Sequence, residues 1–208
     1  WGILIGGRLD KHNMVDNVIF SPRANLRFNP TQNINLRLSY SSGFRAPQAF
    51  DEDMHIENVG GTVAMIERAK DLKEEKSQSF SVSADMYHRF GAFQTNLLIE
   101  GFYTRLTDVF VLGKPYDRGD GILVKTRSNG PGAKVMGLTL EGKVAYLSIL
   151  QIQAGLTLQR SRYDEPHKWH DDAPAEKKIF RTPDTYGYFT ATCTPIKPLS
   201  IALSGTYN

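Results

Sequence analysis

The side chains best suited to chemistry crowd one stretch: Asp51, Glu52, Asp53, His55 and Glu57 follow shortly after Arg45. Clustered carboxylates offer the several hard oxygen ligands that Ca²⁺ takes, although a solvated acidic loop is the plainer reading. His167 and His170 flank Lys168-Trp169. Their spacing would set both imidazoles on one face of a helical turn, as a transition-metal site needs, but no third ligand is evident and a polar loop is favoured. Arg45 can meet an anionic ligand, yet Ala46-Pro47 more plainly ends a strand, because proline has no N–H to give a ladder. Arg23, Arg27, Arg37, Asp85 and Glu100 recur on polar faces, where they can steer a charged solute, with mutual charge compensation the simpler expectation.

No catalytic constellation emerges from these residues. There is no nucleophile elbow, Gly-rich phosphate loop or paired-carboxylate motif, and His12, His55, His88, His167 and His170 lie without a partner pattern. The expectation is therefore no enzyme, no resident metal and no cofactor. A single cysteine, Cys193, excludes an internal disulfide framework. The net charge of +3 spreads 25 basic residues among 22 acidic ones, with no Lys/Arg block to track a phosphate backbone. Nucleic acid is not expected as a partner.

The elements that must carry these groups are strands. From Ser21 to Asn29, Ala24, Leu26 and Phe28 alternate with Arg23, Asn25 and Arg27, the period of a half-buried strand. Asn29-Pro30-Thr31-Gln32 makes a tight turn into Ile34, Leu36, Leu38 and Tyr40. A second hairpin sets Phe80, Val82, Ala84 and Met86 against Phe93, Thr95, Leu97 and Ile99. A third sets Leu138, Leu140 and Val144 against Ile152, Ala154, Leu156 and Leu158. A fourth joins Gly187–Cys193 to Leu199–Tyr207. With Gly2–Asp10 the count is about nine strands and no convincing long helix. The chain opens Trp1-Gly2-Ile3-Leu4-Ile5 with no signal-peptide pattern, as if inside a strand.

Alternation alone leaves open whether the apolar face meets a soluble core or lipid. The connections decide: 11–19, 42–77, 107–135 and 162–184 are long and alternate with the short 29–32, 88–92, 146–150 and 194–198. Short turns at one end and long loops at the other mark an outer-membrane barrel. The polar faces carry Ser, Thr, Asn, Gln and a few Arg, which suits a wet lumen. The mean hydropathy of −0.36 does not exclude this, because a barrel's signal per segment is weak. The expected fold is an all-β, antiparallel, up-and-down transmembrane barrel. Leu26, Leu36, Val82, Leu97, Leu140 and Leu156 should face outward, with Asn25, Arg37, Ser81, Glu100 and Glu141 inward. Parallel pairing is not expected.

Ser21-Pro22-Arg23-Ala24-Asn25-Leu26-Arg27-Phe28-Asn29-Pro30 and Leu38-Ser39-Tyr40-Ser41-Ser42-Gly43-Phe44-Arg45-Ala46-Pro47 resemble the barrel domain of TonB-dependent outer-membrane receptors. Asp71-Leu72-Lys73-Glu74-Glu75-Lys76-Ser77 and Gly137-Leu138-Thr139-Leu140-Glu141-Gly142 are similar to later segments of that family. The resemblance covers essentially the whole chain. It implies a barrel of about 22 strands around a plug, of which residues 1–208 would be a lateral slice lacking the plug and the TonB box.

It further implies a location in the bacterial outer membrane, in contact with its lipid. The TonB energy-transducing complex would be a partner through the missing plug, and the ligand a scarce nutrient such as a siderophore or other metal chelate, cobalamin or haem. Haem-importing relatives place an axial His in the interval holding His55, but they follow it with Asn-Pro-Asp-Leu, where this chain has Ala69-Lys70-Asp71-Leu72. The competing classes are an outer-membrane barrel enzyme and a soluble β-sandwich binding module.

Overall fold

The computed structural model describes residues 1–13, 15, 17–47, 64–119, 122–167, 174–179 and 182–208. The wall is one sheet of nine strands in chain order: β1 (Gly2–Asp10), β2 (Ile19–Thr31), β3 (Ile34–Arg45), β5 (Glu75–Phe90), β6 (Phe93–Thr107), β10 (Ala133–Tyr146), β11 (Leu150–His167), β13 (Thr185–Ile196) and β14 (Leu199–Tyr207). Every neighbour is antiparallel. This is the expected up-and-down meander, and the sheet is open: β1 pairs with β2 and β14 with β13, not with each other.

Turn chemistry fixes the hairpins at the short end. Between β5 and β6 the connection is Gly91-Ala92, and Gly91 has φ +57°, at the first central position of a tight hairpin turn where glycine is favoured. Lys197-Pro198 joins β13 to β14, so the proline sits in a turn, where no ladder N–H is required.

The register sorts the wall into two faces. One row runs Leu26, Leu38, Val82, Gly101, Leu138 and Leu158, and the next Phe28, Leu36, Ala84, Ile99, Leu140 and Leu156. These side chains do not converge on a core: Val82 is 60% exposed, Leu38 52%, Leu156 41% and Leu140 38%. The opposite face carries Asn25, Ser39, Ser81, Arg37, Ser83, Glu100, Thr139 and Glu141. A soluble sandwich would bury the first set, at roughly 25 cal/mol per Å² of apolar surface removed from water. Here that surface stays open on a continuous face.

Two aromatic girdles bound the apolar band. Tyr40, Phe80 and Tyr103 form one, with Tyr40 and Phe80 ring centroids 4.8 Å apart. Phe90, Phe93 and Tyr146 form the other, with Phe93 and Tyr146 also 4.8 Å apart. From Phe80 to Phe90 a strand rises about 34 Å, and a tilt of about 40° reduces the height to about 26 Å, the height of the lipid-facing band of such barrels. Among the described residues no helix is long and apolar enough to cross a membrane, which says nothing of a β-barrel, since barrels cross with strands.

Two expectations are corrected. The long connections contain strands: β4 (Ala64–Arg68), β7 (Phe110–Leu112), β8 (Tyr116–Asp117) and β9 (Leu123–Asn129) make a second, four-stranded sheet. β11 continues to His167, and β12 (Glu176–Lys178) folds back on it. The second sheet also contains a parallel pair, β4 on β9. The pairing is parallel because the two segments come from different loops, so no hairpin constrains their direction. The wall itself contains none.

Candidate functional site: the loop platform and the polar face

The second sheet joins the two longest connections, 46–74 and 108–132, into one platform at the long-loop end of the wall. β9 lies at its centre, with β4 on one side and β7 and β8 on the other. Val124 is fully buried and Arg127 nearly so. The carboxamide of Asn129 clamps the two loops. Its Oδ1 accepts the Lys73 N–H at 2.8 Å, and its Nδ2 donates to the carbonyls of Lys73 at 3.0 Å and Asp108 at 2.8 Å. Asp108 takes a φ of +55°, a left-handed conformation that Asp tolerates better than most residues. The Ala69 N–H donates to the Arg127 carbonyl at 2.8 Å, and Arg118 reaches Glu67 at 3.3 Å.

The platform is tied to the wall where β3 ends. The strand stops at Arg45, as the following proline required, and Ala46 and Pro47 are buried. The Arg45 guanidinium lies 5.6 Å from the centre of the Phe110 ring, a cation–π contact. The Phe110 N–H donates to Glu75 Oε2 at 3.1 Å, and Arg45 and Glu75 are register partners. Arg45 therefore braces the junction of wall and platform. Beside it, burial pushes the Glu74 carboxyl up, but its own backbone hydrogen bond and Lys76, at 3.0 Å, outweigh that and hold it below its ordinary value.

Asp51, Glu52, Asp53, His55, Glu57 and His170 lie outside the described residues. His167 does not begin a helical turn: it closes strand β11, opposite Glu176. Among the described residues no group of three or more His, Cys, Asp or Glu converges as a metal site.

Arg23, Arg27, Arg37, Asp85 and Glu100 all fall on the polar face, but they do not compensate one another. Arg27 stands directly opposite Arg37, and none of the three arginines forms an ion pair with a described residue. The register puts Ser83, not a carboxylate, opposite Arg37, with Asp85 on the diagonal and Glu100 one strand further on. Gly2 and Gly6 of β1 leave room for Arg27 and Arg23, the Arg23 Nε lying 2.9 Å from where a Gly6 Cβ would sit. Asp85 instead accepts from Asn96 Nδ2 at 2.5 Å and from the Tyr87 hydroxyl at 2.9 Å.

Further round the same face, the Tyr188 hydroxyl donates to Glu141, Gln153 Nε2 donates to Tyr188 at 2.6 Å, and Lys143 pairs with Glu141 at 3.2 Å. The Tyr188 ring covers Gly155, where a Cβ would come within 2.4 Å of it. Sequence reading missed Asn129, Phe110 and the Glu141–Tyr188–Gln153 group. The run Leu123–Asn129 between glycines was a usable signal for β9, but nothing in it named a partner.

A family model described as "TonB dependent receptor-like, beta-barrel" matches residues 1–207. A search of curated protein sequences found no match. Among solved structures, the siderophore receptor PirA from Pseudomonas aeruginosa is similar with a TM-score of 0.70 at 18% identity, covering 98% of this chain and 36% of that one. PirA from Acinetobacter baumannii gives a TM-score of 0.65 at 15% identity, covering 98% and 30%. The FrpB iron transporter from Neisseria meningitidis (F3-3 variant) gives 0.60 at 17%, covering 91% and 27%. The chain thus spans about a third or less of each, and at these identities the likeness is one of fold. The match along 1–207 and the open antiparallel wall make this chain a member of the TonB-dependent receptor family, from its β-barrel domain.

Proposed function

We propose that this chain forms part of the wall and capture surface of an outer-membrane receptor that imports a scarce nutrient with TonB-derived energy. The observation that carries this reading is the loop platform. Two loops distant in sequence are welded by β9 and Asn129 into one surface above the wall, and an ordered surface spares a ligand the cost of ordering it. In this reading the polar face lines the lumen, and the acidic loop, Arg45 and the segment from His167 to His170 supply ligand contacts.

Arg23, Arg27 and Arg37 favour an anionic cargo. Like charges directly opposite on neighbouring strands destabilise a sheet, so an uncompensated Arg27–Arg37 pair is matched to countercharge from elsewhere, either a passing solute or the plug. A carboxylate- or phenolate-bearing iron chelate supplies it, and the solved structures of similar fold include siderophore receptors and an iron transporter.

The test uses the complete receptor. It is purified with its native ligand, the ligand is identified by mass spectrometry, and its uptake is compared in cells with and without functional TonB. A metal chelate or other small nutrient whose uptake stops without TonB supports the reading. A bound substrate that is chemically transformed, or uptake indifferent to TonB, overturns it.

A further inference from the structure

The panel of wall made by β1, β2 and β3 carries charge of nearly one sign. Its strands hold five arginines, Arg8, Arg23, Arg27, Arg37 and Arg45, and one carboxylate, Asp10. Arg8 engages Asp10 at 2.6 and 2.8 Å, and Arg45 lies on Phe110. Arg23, Arg27 and Arg37 have no ion pair with a described residue. Beyond the panel, Asp85 is held by Asn96 and Tyr87, and Ser83 stands between Arg37 and Glu100.

These three arginines bracket one row of the polar face. Register sets Leu4, Asn25, Ser39 and Ser81 side by side, with Arg23 two residues above Asn25 and the Arg27–Arg37 pair two residues below it, about 7 Å in each direction. The Ser39 hydroxyl donates to Asn25 Oδ1 at 2.6 Å. That contact turns the acceptor end of the carboxamide toward Ser39 and leaves Nδ2, with no partner among the described residues, as a donor. Between the arginines the row thus offers cations and an N–H donor, a set that repels a cation and matches an oxyanion. Above it, Arg23 also lines a polar cavity of about 450 Å³ with Arg8, Asp10, Ser21, Ser41 and Gly43, at the long-loop end of the same strands.

We infer that the Asn25 row is a seat for an oxyanion group of the imported solute, a carboxylate, sulfonate or phosphate, held by Arg23 from above, by Arg27 and Arg37 from below and by Asn25 Nδ2 between them. The inference rests on the import reading and deepens it, placing a station for the cargo in the wall itself, below the loop platform. Side-chain size favours a solute over the plug as the countercharge. Ser39, Ser81 and Ser83 leave an open lane along β3 and β5, whereas Leu98, Phe102 and Tyr186 put bulk on the same face of β6 and β13.

The test uses the complete receptor in isolated outer membranes, with its native cysteines, Cys193 among them, replaced by serine. A single thiol is introduced by Leu4→Cys, on the row and diagonal to both Arg23 and Arg27. Its rates with anionic 2-sulfonatoethyl methanethiosulfonate and cationic 2-(trimethylammonium)ethyl methanethiosulfonate are each divided by the rate with free cysteine. The anion-to-cation ratio is expected to be about fivefold above one at physiological salt, the screened effect of two or three charges roughly 7–10 Å away. R23Q/R27Q should remove most of that preference, and Arg27→Gln alone should about halve it, which serves if the double variant does not fold. A thiol introduced by Thr139→Cys, beside Glu100 on the same face, should show no anion preference. A ratio near one at position 4, a ratio unchanged by the arginine variants, or a thiol shielded from both reagents by the plug overturns the seat. Labelling needs no transport, so the two readings fail separately: a missing preference with TonB-dependent uptake of the co-purified ligand intact sinks only the seat, and uptake indifferent to TonB sinks the import reading.

Discussion

Arg105 and Asp164 hold a forked ion pair, at 2.7 and 2.6 Å, across a strand that belongs to neither. One lies on β6 and the other on β11, both neighbours of β10, and Gly132 passes between them just before β10 begins. The Asp164 N–H donates to the Gly132 carbonyl at 2.9 Å. A Cβ on Gly132 would come within 2.6 Å of the Leu106 carbonyl and 2.7 Å of Asp164 Oδ2.

The glycine should therefore matter more than the ion pair above it. Both charged side chains are partly exposed, 37% and 27%, so Asp164→Asn is expected to cost only about 0.5–1 kcal/mol. Gly132→Ala forces backbone to move and is expected to cost about 1–3 kcal/mol. Thermal unfolding of the complete receptor with each substitution ranks the two, and an Asn variant less stable than the Ala variant contradicts this account.

Asn129→Ala should loosen the platform and leave the wall intact. It removes three hydrogen bonds, to Lys73 N–H, Lys73 C=O and Asp108 C=O, each contributing about 1 kcal/mol. Amide exchange should quicken across 64–73 and 108–130 and stay slow in β5, β6 and β10. Uniform acceleration across the wall would show that platform and barrel unfold as one unit.

The wall was legible in the sequence and the platform was not, for a physical reason. A strand with one apolar face writes its period locally: Leu26, Leu36, Val82 and Leu140 could be assigned to one face from their neighbours alone, and the register confirms it. The β4–β9 pair joins Ala64–Arg68 to Leu123–Asn129, and no local pattern encodes a partner so distant in the chain. The same limit applies to charge. Alternation placed Arg27, Arg37 and Glu100 on the polar face, but only register shows that Arg27 meets Arg37 and that Glu100 stands in the same row two strands further on, with Ser83 between. Of the candidate ligand residues, Arg45 was correctly placed at a strand end, while its Phe110 partner comes from the other loop.

The two faces should respond oppositely to charge. Leu140 lies on the apolar face between the girdles, and an arginine there is expected to cost about 2–4 kcal/mol in a bilayer. Ser83 lies on the polar face between Arg37 and Glu100, and Ser83→Arg should change stability by under about 1 kcal/mol, as a solvated surface site does. Folding yields in vesicles, read by gel mobility with and without heating, measure both. Similar losses would mean that the faces are not lipid and lumen.

Acid should release β12 from the wall's rim. Lys178, at 2.8 Å, holds the Asp184 carboxyl below its ordinary value of 3.8, helped by Arg162 and Arg160. A carboxyl lowered in the folded state contributes stability that is complete above its unfolded pKa and is lost as pH falls through the folded one. Exchange of the Glu176–Lys178 amides should therefore quicken below about pH 4, and Asp184→Asn should remove that dependence. An unchanged acid response in the Asn variant would assign it to another group.

The last expectation concerns the sheet's two edges. β1 pairs only with β2 and β14 only with β13 among the described residues, so each presents a row of unpartnered N–H and C=O groups. The side chains there offer no protection: Ile3, Ile5 and Leu9 on β1 are 71–79% exposed, and Ile201 and Leu203 on β14 are 57% and 64% exposed. An apolar open edge templates aggregation in water, and in hydrocarbon each unsatisfied backbone group costs several kcal/mol. Neither solvent accommodates residues 1–208 as they stand, whereas neighbouring strands of a larger barrel satisfy both edges. Expressed alone, this polypeptide should aggregate or require detergent, and should show no cooperative unfolding transition. A monodisperse, cooperatively unfolding monomer in detergent-free buffer would contradict the claim that these strands are a slice of a membrane barrel.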